Sequence, residues 1–382
     1  MKFRLYFCIT LTSVVMSTSL LAQKKSTLEN LKKEVSVLAY NDPELAITKG
    51  LELYDLSKNS STHQVSALLS VANAYAVLKD HDAVFKYALK ADSIAELNRN
   101  YTDHVRVLGF IGGQYRRLNL SDRALNYLNK AYNLTIKHPL PDSLEFIQGN
   151  ILVVKGLIQK DELGCEYALP YLSDAVKVFK KNTDKVAINA NLAIALNNLG
   201  DCNIELQNYK DAKINYNEAI ISAEIINAIK NVASSKLGLA KLLSIEGKNK
   251  EAIALLEYIL DSITDIHDGA LNSQILKALS ENYKQIGNEN QYRYYSQLYL
   301  EEEQKLFKEE KKSLNKVTKE ISSENHEKRQ YQKDKYSYVF LFCGIILILL
   351  MLIIYRKILK KRNKIAQSKE KIEKSDKLKK EQ

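Results

Sequence analysis

Apolar and small residues recur along most of this chain at helical spacing, in pairs of segments that repeat about every 40 residues. In the stretch LNNLGDCNIELQNYKDAKINYNEAI, Leu196, Leu199 and Gly200 share one helical face. A polar break follows, and Ala212, Tyr216 and Ala219 share a second face. Residues three and four apart lie on the same side of a helix, so the stretch predicts two amphipathic helices joined by a short turn. The same set returns as Leu68, Ala72 and Tyr75 before Val84, Ala88 and Ala91, and as Leu108, Gly112 and Tyr115 before Ala124, Leu128 and Ala131. It returns again as Leu152 and Gly156 before Ala168, Leu172 and Ala175, and as Leu239 and Ala240 before Ala252, Leu256 and Ile259. A weaker copy carries Ala46, Gly50 and Leu53, and a last one Leu276, Leu279, Tyr283, Tyr292 and Tyr299. Small residues at the Gly200 and Ala212 positions let paired helices approach closely, and the Tyr216 and Ala219 positions pack against the following unit. One such unit cannot bury its apolar face alone, so the units must stack.

Two further patterns lie beyond the repeats. From residue 301 to 335 the sequence is charged with both signs and free of Gly and Pro; Leu300, Phe307, Leu314 and Ile321 are seven apart, a single seam on one helix with only Val317 added. Then VFLFCGIILILLMLIIY, residues 339–355, carries no charge, and with Tyr336, Ser337 and Tyr338 it is long enough to cross a bilayer as a helix. Tyr336, Tyr338 and Tyr355 stand at its edges, where amphipathic rings prefer the headgroup layer. Ile358, Ile365 and Ile372 are again seven apart in the tail.

Composition agrees with an all-helical chain: 382 residues with four Pro, thirteen Gly and no Trp. Charge sharpens the picture. The formal net charge is +11; the tail, residues 356–382, holds +8 and Lys2 with Arg4 hold +2, which leaves about +1 between them. A near-neutral body argues against a nucleic-acid surface, which needs a basic patch. The basic tail after the span predicts a cytoplasmic C-terminus. Residues 1–22 have the layout of a secretory signal peptide: Lys2 and Arg4, an apolar run from Leu5 to Val15, and small residues up to a cleavage site expected after Ala22. Both ends therefore imply one topology, with the body exported. Cys165 and Cys202 are free to pair in an oxidising compartment, though their spacing does not demand it.

The repeated set resembles the tetratricopeptide repeat, whose pattern is a Trp, Leu, Gly and Tyr in the first helix and an Ala, Phe and Ala in the second. The resemblance covers residues 23–300, about seven units. The fold expected from it is all-α: a helical-hairpin solenoid, followed by a helical stalk (301–335), one transmembrane helix (336–355) and a basic tail (356–382). Departures are visible: the Trp is replaced by Leu or by Lys236, and the terminal Pro is missing. The anchors at 46, 84, 124, 168, 212, 252 and 292 also run at 38–44 residues against a usual period of about 34.

Catalytic chemistry is not evident. Asp80-His81-Asp82 falls in a turn between helices, and GFIGGQ (109–114) lacks the Lys-Ser/Thr of a phosphate loop, with Gly112 at the repeat's own small position. No nucleophile elbow, zinc motif or Cys/His constellation is present. No enzyme activity, metal or cofactor is expected. The resemblance implies instead that the first helices line a concave surface holding a peptide or protein partner. Counted from the pattern, its residues include Asn73, Arg116, Arg117, Asn197, Asn198, Asp201 and Lys241. Asn suits a peptide backbone and Arg a carboxylate; the family's carboxylate clamp is not matched. The whole layout is similar to the exported sensor region of bacterial single-span histidine kinases and helix-turn-helix regulators, which places the repeats in the periplasm and the span in the inner membrane. The tail after the span is too short for either effector. The expectation is thus a non-catalytic, membrane-anchored scaffold or sensor module, or else the sensory half of a split or truncated regulator. A cytoplasmic helical partner or self-dimer through the tail goes with either.

Overall fold

The computed structural model describes residues 27–182, 186–264, 266 and 268–380. The expected signal peptide lies outside them. Among the described residues there is no strand. Two units are present, divided after Val317.

The first unit is a series of helical hairpins. Helix α1 (residues 27–41) packs on α2 (Pro43–Leu56), with Val35 against Gly50. The next five hairpins are α3 (Ser61–Val77) with α4 (His81–Leu97), α5 (Tyr101–Arg117) with α6 (Ser121–Lys137), and α7 (Phe146–Leu163) with α8 (Cys165–Lys180), then α9 (Ile188–Glu205) with α10 (Tyr209–Glu224), and α11 (Ile229–Ile245) with α12 (Asn249–Ser262). Then α13 (Gly269–Gln285) packs on the start of α14 (Glu289–Lys380). The α14 contacts run past residue 300: Ser273 bonds Glu303, and Leu306 lies over Gly269.

Five of the hairpin turns are made the same way. Lys79, Asn119, Gln207, Gly247 and Gly287 adopt the left-handed region, with φ of 58°, 55°, 61°, 76° and 75°. In each case the next N–H reaches back to the carbonyl five residues earlier, as from Asp80 to Tyr75 and from Asn208 to Asn203. This is the Schellman closure, which satisfies helix-end carbonyls. Only Gly247 and Gly287 adopt that region without a Cβ penalty. The second helices then begin on side-chain caps where one is offered, and Asp80 accepts from the Ala83 N–H at 3.2 Å. The Asp-His-Asp turn is thus explained by helix capping.

The repeat registers form the core. Val84, Ala124, Ala168, Ala212 and Ala252 are completely buried, and so are Ala88, Leu128, Leu172, Tyr216 and Leu256. Three large members of the second set each meet a glycine of the first helix. Leu128 lies on Gly112, Leu172 on Gly156 and Tyr216 on Gly200. Neighbouring hairpins are also joined by polar contacts, among them Asn100 to Thr62 at 3.0 Å and Ser244 to Asn282 at 2.8 Å. Cys165 and Cys202 form a disulfide that ties α8 to α9 across a hairpin boundary. The sequence left that pairing open.

The second unit, Thr318–Gln382, is helical up to Lys380. Within it Phe340–Ile365 is long and apolar enough to cross a membrane, with a mean hydropathy of 2.4, and none of it is buried. Cys343 there is a free, exposed thiol.

Candidate functional site

Consecutive first helices pack on one another: α3 on α5, α5 on α7, α7 on α9, α9 on α11 and α11 on α13. Among the described residues, consecutive second helices stand further apart and are bridged by side chains, as from Lys180 of α8 to Glu218 of α10. Helices that touch on one side and splay on the other must curve, so the first helices line the inner, concave side of the hairpin array. All seven residues assigned to the groove from the sequence stand on these first helices: Asn73 on α3, Arg116 and Arg117 on α5, Asn197, Asn198 and Asp201 on α9, and Lys241 on α11.

They do not form one cluster. Asn73, Gly113, Asp201 and Lys241 hold the same repeat position, one on each of four helices. A Cβ added at Gly113 would meet nothing within 4 Å, so this position opens onto free space. Arg116 is committed to its neighbour: its Nη2 donates to Asp161 Oδ2 on α7 at 2.9 Å, and its buried Nε has no partner. Asp201 is committed twice. Its Oδ1 accepts the Tyr216 hydroxyl at 2.7 Å, and Lys160 of α7 stands 3.8 Å from its Oδ2. Burial, and then the Asp201 carboxylate, drive the Tyr216 hydroxyl pKa far above its usual range, so it stays a donor. Asn198 bonds its own helix, donating to the Ile194 carbonyl at 2.8 Å, while the buried Asn197 Oδ1 has no partner. Asn73, Arg117 and Lys241 make no side-chain hydrogen bond or ion pair to a described residue. Of the seven residues assigned from the sequence, these three have side chains to spare.

The outer side carries aromatic rings and cations. There Lys90 of α4 stands 4.0 Å from the Tyr54 ring of α2; Lys155, on the first helix α7, is instead buried within the array between Tyr132 and Tyr171, at 4.8 and 5.0 Å. Burial pushes the Lys155 ammonium pKa down, and the two ring faces offset part of that cost. One cavity of about 410 Å³ opens on this side between α8 and α10, over α9. Sequence reading missed it. The available signal was Asn203 and Asn215, at positions where other units carry Tyr.

No protein-family model matches the chain, and no curated protein matches it. Solved structures do. The apo form of RapI is similar at 16% identity and a TM-score of 0.53, over 72% of this chain and 99% of that one. PH0952 from Pyrococcus horikoshii, a signal transduction ATPase with numerous domains that carries a tetratricopeptide repeat sensor, is similar at 15% identity and a TM-score of 0.50. That match covers 67% of this chain and 38% of PH0952. NprR in complex with its cognate peptide NprX matches at 16% identity and a TM-score of 0.49, over 78% and 86% of the two chains. The hairpin array therefore has the tetratricopeptide-repeat-like fold.

Proposed function

We propose that this chain is a non-catalytic, membrane-anchored interaction module, which holds a peptide or protein partner on the concave side of an exported repeat array. The observation that carries the reading is the inner surface itself: first helices of successive hairpins present Asn73, Arg117 and Lys241 with uncommitted side chains. An extended polypeptide laid across them meets a carboxamide for its backbone and two cations for its carboxylates. Export is supported by the Cys165–Cys202 disulfide, since such bonds persist in oxidising compartments. Anchoring is supported by the wholly exposed apolar segment Phe340–Ile365 and the basic residues after Tyr355, which favour a cytoplasmic tail.

The test is capture of partners by crosslinking in the cell envelope. Asn73→Ala, Arg117→Ala and Lys241→Ala together are expected to reduce capture at least tenfold with helicity unchanged. Arg116 and Asp201 are unsuitable for this test because each holds the fold. Identical partners recovered from variant and parent would refute the groove.

A second reading, the sensory half of a two-part regulator, is favoured by Ile358 and Ile365. They lie seven apart and each is 51% exposed. The sensor carried by PH0952 offers a fold-level analogy. If the tail pairs as a coil, single cysteines at 358 and 365 should form strong disulfide crosslinks in membranes, and one at Lys361 little. Uniform crosslinking would leave the tail a plain basic anchor.

A further inference from the structure

Two positions are equivalent from hairpin to hairpin: nine residues before the second-helix anchor and three after it. In three hairpins they are stacked tyrosines, Tyr75 with Tyr87, Tyr115 with Tyr127, and Tyr283 with Tyr295, each pair with ring centroids 5.5 Å apart. The hairpin of α7 and α8 has Gln159 and Tyr171 there, and that of α11 and α12 has Leu243 and Leu255. The hairpin of α9 and α10 has Asn203 and Asn215, and both line the 410 Å³ cavity. The space that rings fill elsewhere is open here.

Asn203 is only 7% exposed, lines the cavity, and has no side-chain hydrogen bond to a described residue. Its side-chain polar atoms are not sealed from solvent, so the carboxamide is free to pair with a group that enters the cavity. Leu169, Leu199 and Ile214 give the cavity apolar walls. Asp211 stands on its lining without an ion pair to a described residue. The floor is fixed in advance, because Leu169 and Leu199 pack on the Cys165–Cys202 cluster and the disulfide holds α8 to α9. A preformed site of this volume lies in the range of ligand pockets and loses little on ordering.

We propose that this furrow binds a tyrosine side chain of a partner polypeptide. The ring takes the place that the protein's own tyrosines take in three other hairpins. The phenol hydroxyl pairs with the Asn203 carboxamide, and Asp211 favours a basic residue beside the tyrosine. The site is formed by α8, α9 and α10 on the outer side, so it stands apart from the concave surface.

The experiment is a titration of the full chain in detergent micelles with N-acetyl-tyrosinamide, read from the methyl signals of Ile214 and Leu199. Saturable shifts with a dissociation constant on the order of 1 mM are expected. N-acetyl-leucinamide should give none. Asn203→Tyr with Asn215→Tyr rebuilds the stack and should abolish the shifts while the unfolding temperature holds or rises. Asn203→Ala leaves the cavity open and should weaken binding about tenfold, which keeps the proposal testable if the double variant misfolds. The Asn73, Arg117 and Lys241 triple variant should bind the probe as the parent does, separating this site from the groove. The proposal is overturned by absence of shifts in the parent, by equal shifts with the leucine probe, or by unchanged affinity in Asn203→Ala.

Discussion

Tyr216→Ala is expected to lower the stability of a fragment spanning residues 23–317 by about 3–5 kcal/mol, the range for removing a fully buried aromatic side chain. Tyr216 is completely buried and sits between two glycines from different hairpins. A Cβ on Gly200 would stand 2.7 Å from its ring, and one on Gly238 would overlap the ring. The atoms nearest to both glycines belong to this ring, so deleting it leaves a void between two backbones. The reverse substitutions should fail by overpacking. Gly200→Leu and Ala212→Leu should each cost roughly 1–3 kcal/mol, with Gly200→Leu at the upper end because it meets a rigid ring. Asn198→Leu is the control: it is half-buried and bonds only its own helix, so it should change little. Tyr216→Phe keeps the ring and removes the bond to Asp201, a loss of about 1 kcal/mol, while Lys160 still faces the Asp201 carboxylate. Urea unfolding followed by circular dichroism ranks all five. Equal losses at Gly200, Ala212 and Asn198 would contradict the packing register.

That register was legible because it rests on residue size at fixed spacing. Gly112, Gly156 and Gly200 had to be small for Leu128, Leu172 and Tyr216 to lie on them, and the sequence shows both members of each pair. The turns were less legible. Lys79, Asn119 and Gln207 take a left-handed conformation that only Gly247 and Gly287 announce by residue type. What the groove residues do was not legible at all. Arg116 is bound to Asp161 and Asp201 to Tyr216 and Lys160; the contacts to Asp161 and Lys160 depend on how far one hairpin is rotated against the next, which periodicity does not encode. The same rotation decides whether Cys165 reaches Cys202. The end of the array was placed at residue 300 where the composition changes, yet Glu303 and Leu306 still pack on α13. Charged residues on a packed face look, in sequence, like the start of a stalk. Asn203 and Asn215 were visible as departures from a Tyr–Tyr pair, but only the structure shows a cavity where the pair is missing.

Reduction of the Cys165–Cys202 disulfide is expected to cost the same fragment about 4 kcal/mol. The bond closes a loop of 37 residues, and in the chain-entropy account a loop of that length restricts the unfolded chain by this amount. The loop contains all of α8 and most of α9, so it spans a boundary between hairpins where stacking alone would otherwise transmit stability. Both cysteines are buried, at 1% and 0% exposure. A native fragment should therefore resist mild reductant and lose the bond only as it opens. Cys202→Ser and the reduced parent should show the same lowered urea midpoint, because each releases the same loop. The measurement also bears on location. In a reducing cytosol the pair would stay as two thiols, and the array would have to stand without this contribution. Protein taken from cells under thiol trapping should yield the linked peptides if the array is exported. If instead both thiols are trapped free, and the oxidised and reduced fragments unfold at the same urea concentration, the disulfide no longer supports export. The topology would then rest on the two ends of the chain alone.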